Sequence, residues 1–517
     1  MSWKRIKAAG VSAVTVVMLA ACAGESAAGG PASAQPLKVV GPFEVHSLDP
    51  STSGGIFTRL QVAETLVEAD NRGELEPGLA TAWDVAPDRK TWRFTIRTGA
   101  QFHDGTPVTA ETVAAALKVA DSKAGTPLST VPVKSIRADG QTVRLDLTEP
   151  YGPLPAVLAH TSTQILAPSS YGHGQSVTKI VGSGPYRVTR LEQPSSVEVA
   201  AFEQWQGKKP AIKEVSYQAV GRSESRALMA ESGQADVTFG MDPTSLQRLK
   251  QAGSLDISSV TLPRTILLKV NAGHEILSDV RVRRALSLAL DREGMAKALL
   301  RDPEMAAGQL FPPSLPGWHQ PSVAPVQQDE AAARALLAEA GWTPGPDGVL
   351  ARNGRTFVVS LRTFPDRPEL PLLATAIQAK LKELGLMLDV KVGNSSEIPA
   401  GHKDGTLELG LYSRNFALVP DALATLADDY GPKGAEYGAM GWNSTELTAT
   451  LQDMAKGTDS AGAEAGRKKV SQILQEELPV IPVAWYRQSA VVSKRVEGLA
   501  LDPLERSLRL TDLNWAS

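Results

Sequence analysis

The sequence predicts an α/β protein built from more than one domain. The chain has 517 residues, which is too long for one ordinary hydrophobic core. Several segments alternate apolar and polar residues with the period of two that is typical of half-buried strands. Between Phe357 and Val392 the predicted order is strand, helix, strand, and such a crossover places helices on the faces of a parallel sheet.

The composition is that of a folded protein without affinity for nucleic acid. Hydrophobic residues make up 42% of the chain and charged residues 21%, which are ordinary values for a soluble domain. The formal net charge is −3 and no strongly basic patch is visible, so nucleic acid is not an expected partner.

Residues 1–22 are predicted to be a lipoprotein signal peptide. Lys4, Arg5 and Lys7 give a positive start, and the apolar segment 11–21 follows. After this segment no apolar run reaches the roughly 18 residues that a membrane-spanning helix needs. We therefore expect a soluble body held outside the cell by its N-terminal end.

The anchor itself rests on a resemblance. Leu19-Ala20-Ala21-Cys22 resembles a bacterial lipobox, which implies that Cys22 is lipidated and becomes the mature N-terminus. The alternative is an ordinary signal peptide whose cysteine is lost on cleavage. Residues 23–36 are small and polar and are predicted to form a flexible tether. Because Cys22 is the only cysteine, an intramolecular disulfide is impossible.

The first half of the chain predicts mostly strands. Trp92, Phe94 and Ile96 alternate with polar residues, and Thr109 has the position of a helix N-cap. Residues 133–147 are predicted to form a β-hairpin around Asp139-Gly140. Further predictions are strands over 37–43, 196–202 and 211–220, a helix over 223–232 and a strand beginning at 235–237.

The second half predicts alternating helices and strands. Residues 262–271 form a dense apolar strand candidate, followed by a helix capped by Asp279. We expect the arginines of this helix, Arg281, Arg283 and Arg284, to form a solvated face. Other predicted helices run from Asp329 to Ala340 and from Pro371 to Gly385. Near the end, residues 478–492 are apolar and interrupted by prolines.

The chain resembles the large solute-binding proteins of ABC importers that handle dipeptides, oligopeptides and nickel complexes, known as family 5. The matching segments are Leu48-Asp49-Pro50, Glu64-Thr65-Leu66-Val67, Pro77-Gly78-Leu79-Ala80, Trp83, Thr91-Trp92-Arg93-Phe94, Phe102-His103-Asp104-Gly105, Gly182-Ser183-Gly184-Pro185-Tyr186, Val280-Arg281-Val282-Arg283-Arg284-Ala285-Leu286 and Ala289-Leu290-Asp291-Arg292. The resemblance covers residues 37–500, and so long an ordered set is a specific signal.

The resemblance implies a two-lobed periplasmic-binding-protein fold of type II, with a ligand cleft between the lobes. Lobe I would comprise residues 37–264 and 484–517, with an extra subdomain, and lobe II would comprise residues 265–483. Two chain crossings, near 260–268 and 480–488, would form a hinge. The implied partners are an ABC permease with its ATPase subunits and a small-molecule ligand, and we expect a monomer on the outer face of the cytoplasmic membrane.

The residues show no catalytic or metal-binding constellation. The seven histidines lack the i, i+4 spacing and the HExxH pattern of zinc sites. Gly182-Ser183-Gly184 is not the Gly-x-Ser-x-Gly motif of a nucleophile elbow. We therefore expect neither a cofactor nor an enzymatic activity. A secreted hydrolase on the same scaffold and a signalling or chaperone-like binder are the alternative classes.

The ligand is predicted from the segment 411–421. In peptide-binding relatives an aspartate just ahead of a Pro-Asp step pairs with the ligand's ammonium, and here that position holds Leu418. Arg414 offers a planar fork to a ligand carboxylate instead, and the alternative for this residue is a surface salt bridge. The arrangement is similar to that of the nickel and metal–metallophore binders, so a metal chelate or a peptide-like solute is expected, with an oligopeptide as the alternative.

Six further residues complete the predicted ligand site, and three of them have a structural alternative. Asn415 follows Arg414, and Trp442-Asn443 would add a ring wall and an amide, unless Trp442 packs in the core. The remaining candidates are Gln164, the nearest substitute for an arginine of nickel-binding relatives; Phe57, in a loop over 51–59 that lines the cleft or is a flexible connection; and Arg222, a cleft residue or a solvated one.

Overall fold

The computed structural model describes residues 35–52, 54–315, 317–432, 434–457 and 460–516. The strands in these ranges are Leu37–Gly41 (β1), Val67–Ala69 (β2), Leu75–Pro77 (β3), Ala80–Val85 (β4), Thr91–Ile96 (β5), Val133–Asp139 (β6), Thr142–Leu147 (β7), Tyr186–Glu192 (β8), Ser196–Ala201 (β9), Glu214–Ala219 (β10), Val237–Phe239 (β11), Asp256–Val270 (β12), Thr343–Pro344 (β13), Leu350–Arg352 (β14), Arg355–Thr356 (β15), Val358–Thr363 (β16), Met387–Val392 (β17), Leu409–Asn415 (β18), Val480–Val492 (β19), Val496–Glu497 (β20) and Asn514–Trp515 (β21). The α-helices are Gly55–Arg59 (α1), Ala110–Asp121 (α2), Leu154–Val157 (α3), Ser223–Glu231 (α4), Pro243–Ala252 (α5), Val280–Ala289 (α6), Arg292–Met295 (α7), Glu330–Glu339 (α8), Glu369–Glu383 (α9), Glu397–Asp404 (α10), Ala422–Asp429 (α11), Thr445–Lys456 (α12) and Ser460–Glu477 (α13).

The largest sheet has ten strands in the order β17-β16-β18-β12-β19-β11-β1-β10-β9-β8. Its two central strands, β12 and β19, are 15 and 13 residues long, about twice the usual strand length. The end of β19 pairs with β11, and the second half of β12 pairs with β18. One end of this strand pair therefore belongs to the lobe that contains β1, and the other end to the lobe that contains β16.

The ladder between β12 and β19 is irregular where the lobes meet. Its register shifts between Leu262 and Thr265 and again between Ile266 and Leu267. Pro263 lies in the first shift and has no N–H to donate to a ladder. These positions fall within the two crossings that the sequence predicted at 260–268 and 480–488. The lobe boundaries at 264/265 and 483/484 stay a prediction.

Lobe I contains a second sheet of four strands in the order β4-β5-β7-β6. In β5 the side chains of Trp92, Phe94 and Ile96 are buried, as their alternation predicted, and they share a core with Val113 and Leu117 of α2. Helix α2 begins after Thr109, whose hydroxyl accepts the N–H of Thr112, as the N-cap prediction required. The predicted hairpin is β6–β7.

Lobe II contains the predicted parallel crossover β16–α9–β17. Leu373, Ile377 and Leu381 lie on the buried face of α9. The helix begins at Glu369 and not at the predicted Pro371. Proline is tolerated in the first turn, where its missing N–H would have no intrahelical acceptor, so Pro371 does not have to be the first residue.

The prediction for the arginines of α6 is wrong for one of the three. Arg283 is only 4% exposed, and its guanidinium donates to the backbone oxygens of Leu277, Ser278 and Glu477. The residue lies on the buried side of the helix beside Val282, and burial is tolerable because its guanidinium makes four hydrogen bonds to these carbonyl oxygens. No described helix is long and apolar enough to cross a membrane.

Candidate functional site

A cleft of about 910 Å³ lies between the two lobes. Lobe I contributes residues that follow or end its parallel strands, and lobe II contributes the loop after β16 and the segment after α7. The hinge strands form the floor. The residues that line the cleft include Phe43, Phe239, Glu304, Arg367, Glu369, Trp485, Tyr486, Arg487 and Glu505. Loops at the carboxyl ends of parallel strands are the usual place for ligands in open α/β sheets.

Tyr486 of β19 is the centre of the cleft floor. Arg367 donates from Nη1 to the Tyr486 hydroxyl at 2.9 Å, and its guanidinium carbon lies 4.9 Å from the ring centre. The guanidinium carbon of Arg264 lies 5.4 Å from the same ring. Burial, together with the charge of Glu369, raises the pKa of Tyr486 to about 12. The phenol therefore stays neutral and holds Arg367 in place through a hydrogen bond and a cation–π contact.

Arg264 and Glu505 form a buried ion pair behind Tyr486. Their side chains are 8% and 5% exposed, and the Asn415 amide donates to Oε2 of Glu505 at 2.8 Å. Burial and the neighbouring charge of Arg367 lower the pKa of Arg264 to about 10. Burial acts against ionisation of Glu505 as well, but Arg264 and Arg367 outweigh it and lower the pKa of Glu505 to about 2.

Glu505 has a backbone φ of 58°, in the left-handed region that non-glycine residues rarely occupy. The Arg264 and Asn415 contacts hold its side chain in this conformation. The free-energy cost of this backbone conformation is offset by the ion pair of Glu505 with Arg264, which joins the C-terminal tail to β12.

Glu369 is the first residue of α9 and lines the cleft beside Arg367. Its side chain is 7% exposed, and its Oε1 atom is buried and accepts no hydrogen bond from any described residue. Burial raises the pKa of this carboxyl, and the charge of Arg367 only partly opposes that rise. A buried acceptor without a donor is costly, and this oxygen has almost no accessible surface through which a solute in the cleft could reach it.

Comparison with known proteins identifies the family at this point. The profile described as bacterial extracellular solute-binding proteins, family 5 Middle, matches residues 74–436, more than half of the chain. The protein belongs to family 5. This is the family of extracytoplasmic receptors of ABC importers that the sequence resemblance predicted, and its members are binding proteins.

Relatives and solved structures agree with the assignment. The nickel-binding periplasmic protein of Escherichia coli K12 is 25% identical over 471 residues and covers 88% of each chain. The dipeptide-binding protein of the same strain is 25% identical over 478 residues, with coverage of 83% of this chain and 84% of the relative. The structure of NikA from Brucella suis in complex with Fe(III)-EDTA has a TM-score of 0.85 at 22% identity, covering 93% of this chain and all of that one. The predicted two-lobed α/β fold is confirmed.

In this family 5 protein Arg414 is already paired. Its Nε and Nη2 atoms donate to the two carboxylate oxygens of Asp429, both at 2.7 Å, and Asp429 is completely buried. Burial disfavours the charged guanidinium, but Asp429 outweighs this and raises the pKa of Arg414 above its ordinary range. The fork that was predicted for a ligand carboxylate therefore holds a carboxylate of the protein itself.

Of the other predicted residues of lobe II, one lies at the cleft and two lie away from it. Asn415 contacts Glu505 at the cleft, as described above. Trp442 donates from its indole nitrogen to Glu477 at 2.7 Å and packs edge-on to Tyr430, so the structure places it against the lobe II core. Asn443 is exposed beside it.

The predicted residues of lobe I do not line the described cleft. Gln164 is buried, and its amide donates to the Gly54 carbonyl at 2.9 Å, while its Oε1 atom has no partner among the described residues. Phe57 is completely buried in the core of lobe I, because the predicted loop forms helix α1 there and turns its apolar side inward. The Arg222 side chain is 82% exposed and precedes α4. Cys22 lies outside the described residues.

Sequence reasoning missed Arg264, Arg367, Glu369, Tyr486 and Glu505. A signal for two of them was present, since Arg367 and Glu369 occupy the loop after the first strand of the predicted crossover, where ligands of parallel sheets bind. The pairing of Arg264 with Glu505 spans 241 residues and had no local signal. Among the described residues no cluster of three or more His, Cys, Asp or Glu side chains is suited to a metal ion.

Proposed function

We propose that this protein is the lipid-anchored receptor of an ABC importer and that it captures a small, carboxylate-bearing solute in the cleft between its lobes. It acts as a monomer and delivers the solute unaltered to a permease with its ATPase subunits. The solute is either a metal chelate or a peptide-like molecule. Family membership and the names of the nickel-binding and dipeptide-binding relatives support this proposal.

The guanidinium of Arg367 is the single observation that carries the proposal. It projects from a cleft wall, and its only hydrogen bond to a described residue is the one from Nη1 to Tyr486. Nε and Nη2 remain as a planar pair of donors that matches a carboxylate. The Tyr486 ring fixes the group in advance, so little side-chain entropy is lost when a ligand binds.

Closure of the lobes supplies the transport signal in this proposal. A solute that contacts both lobes stabilises the closed form by its differential affinity for that form. The aromatic side chains Phe43, Phe239 and Trp485 provide apolar walls that exclude water, while Arg367 fixes orientation. The permease would then recognise the closed protein.

Both ligand classes remain in this proposal, because one argument counts against each of them. Arg414 is occupied by Asp429, which removes the reason for preferring a chelate. Leu418 stands where peptide-binding relatives have an acid, which counts against a peptide held at that loop. Both classes carry carboxylates, so the role of Arg367 does not depend on the choice.

The test is a titration followed by the intrinsic tryptophan fluorescence, to which Trp485 in the cleft contributes. The probes are Ni(II)–EDTA, nickel–histidine, and mixtures of di- and tripeptides, each analysed afterwards by mass spectrometry. We expect one class to bind and to be recovered unchanged. Arg367→Met should weaken that binding by about 2–5 kcal/mol, because it removes a charged partner of a buried carboxylate.

Arg334→Met is the matched control for this substitution. Arg334 lies on α8 and forms an i, i+4 pair with Glu330 on the surface, so its loss should leave the affinity unchanged. Equal affinities of the Arg367→Met variant and the unmodified protein would remove Arg367 from the site. Recovery of a chemically altered solute would show an enzyme and would overturn the proposal.

A further inference from the structure

Two residues of lobe II are buried in a hydrophobic core of lobe I. This core contains β5, β7 and α2, and the described residues that share it include Val419 and Ala424. Both side chains are buried, at 2% and 7% exposed. They follow β18 and lie outside the two hinge strands. Residues of one lobe that are buried in the core of the other lose this burial when the lobes separate.

Helix α11 places Ala424 between the two lobes. Ala422, Leu423 and Leu426 of this helix are buried in the core of lobe II. Ala424 belongs instead to the core of lobe I, where α11 packs against the 3₁₀ helix Pro127–Thr130. The apolar residues of one helix therefore divide between two cores, one on each side of the helix.

Helix α12 of lobe II also ends against lobe I. The Gly152 N–H donates to the Ala455 carbonyl oxygen at 2.7 Å, and Nη1 of Arg89 donates to the Lys456 carbonyl oxygen at 3.3 Å. The Ala455 side chain packs against both cores. Carbonyl groups in the last turn of a helix have no intrahelical donor, so lobe I supplies donors that α12 itself lacks.

We call the meeting of Leu128 and Gly152 of lobe I with Val419, Ala424 and Ala455 of lobe II the interlobe contact. These described residues are not among those that line the cleft. Four of the five are small, and the carbonyl group of Ala455 can accept a hydrogen bond from water when the lobes separate. Separation therefore exposes little apolar surface, and the contact can form and break while each lobe stays folded.

We infer that the interlobe contact is a latch that stabilises the closed form and raises the affinity for the solute from a place that the solute does not touch. The contact exists only when the lobes are together, so its free energy favours the closed form. The apparent affinity of a ligand increases with the fraction of protein in the form that binds it. The statement about affinity rests on the proposed function, whereas the statement about closure does not.

The first experiment measures lobe closure without any solute. Nitroxide labels on Lys134→Cys in β6 and Gln452→Cys in α12, both exposed positions, report the distance between the lobes by pulsed electron paramagnetic resonance. The full chain carries Cys22→Ser, so that the labels have the only two cysteines. Val419→Ser removes apolar surface from the contact, and Ala424→Leu inserts a larger side chain between the lobes. We expect both variants to raise the population of longer distances at least threefold.

The second experiment measures affinity by isothermal titration with nickel–histidine, Ni(II)–EDTA and trialanine. For a probe that binds the unmodified protein, both variants should bind about three- to tenfold more weakly. Val392→Ser is the matched control, because Val392 is 52% exposed on β17, and it should change neither the distances nor the affinity. Thermal midpoints, measured alongside, show that each variant is folded.

The outcomes separate the latch from the proposed function. Folded Val419→Ser and Ala424→Leu variants with the distance distribution of the unmodified protein would overturn the inference. Longer distances with unchanged affinity for a bound probe would overturn it as well, because closure would then not contribute to binding. If no probe binds and no solute is carried through gentle purification, the proposed function fails, while the label distances still decide whether the contact holds the lobes together.

Discussion

Replacing Arg414 with alanine distinguishes a structural role of this guanidinium from the ligand-binding role that the sequence predicted. In the structure both fork atoms, Nε and Nη2, donate to Asp429, which is completely buried in α11. The substitution would leave a buried carboxylate without its partner. Breaking a buried pair in this way costs about 3–5 kcal/mol of unfolding free energy.

Two features of the site place the expected loss at the lower end. The Arg414 side chain is 20% exposed, so water can approach the vacated position and solvate Asp429 in part. Lys269, whose pKa is lowered to about 7 by burial, has a favourable interaction with Asp429 that survives the substitution. We therefore expect a loss of about 3 kcal/mol, with little change in the affinity for the solute.

The assay is urea unfolding followed by circular dichroism, combined with a solute titration under native conditions. Arg222→Ala is the control, because its 82% exposed side chain should contribute less than about 0.5 kcal/mol. The double variant Arg414→Ala/Asp429→Ala should recover part of the loss, since it removes the stranded charge as well. An Arg414→Ala variant of unchanged stability that has lost the solute would refute the reasoning and return Arg414 to the ligand site.

Three further predictions concern other parts of the chain. Gly184→Ala should destabilise the protein by more than about 2 kcal/mol, because the added Cβ would lie 2.2 Å from the Gln61 carbonyl oxygen. Gly221→Ala is the control: its Cβ would have no atom within 4 Å, so this variant should unfold at the same urea concentration as the unmodified protein. The unfolding free energy should fall as the pH drops from about 6.5 towards 4. Burial and the charges of Arg414 and Arg506 lower the pKa of His160 to about 4, while the imidazole of the unfolded chain takes up its proton near 6.5. His160→Gln should reduce the dependence of the unfolding free energy on pH, and an unchanged dependence would contradict the assignment. Cys22→Ser should move the protein from the membrane fraction to the soluble fraction of cells, and retention in the membrane would exclude an acyl anchor at this residue.

Much of the fold was predictable because its signals are local. The alternation of Trp92, Phe94 and Ile96 depends on residues two positions apart, and the Thr109 cap depends on residues three positions apart. The crossover β16–α9–β17 combined a strand period and a helix period within 36 residues, a length over which apolar patterning determines which faces are buried. These elements therefore agree with the structure within two or three residues.

The charged contacts were much less predictable, because they depend on partners from other elements. Arg414 looked available for a ligand until α11 brought Asp429 against it, and Arg283 looked solvated until the end of α13 supplied its acceptor. Arginine has the same sequence signature on a surface, in a core and in a cleft, since its five donors suit any of these environments once carbonyls or carboxylates are near. Only the three-dimensional arrangement distinguishes an arginine on the surface from one in the core or in the cleft.

In the proposed function, the position of the charged cluster lets solute binding act on the hinge without an intermediate relay. Tyr486 and Arg264 belong to the two strands that connect the lobes, and both lie at the register shift between Leu262 and Thr265. Arg264 is tied to the C-terminal tail through Glu505, and Tyr486 is tied to lobe II through Arg367. If Arg367 holds the solute, as proposed, the solute acts on the strand segment where the ladder is already interrupted. In the proposed function, the residues that bind the solute and the residues of the hinge are therefore neighbours in one sheet, and differential affinity for the closed form would act at the hinge itself.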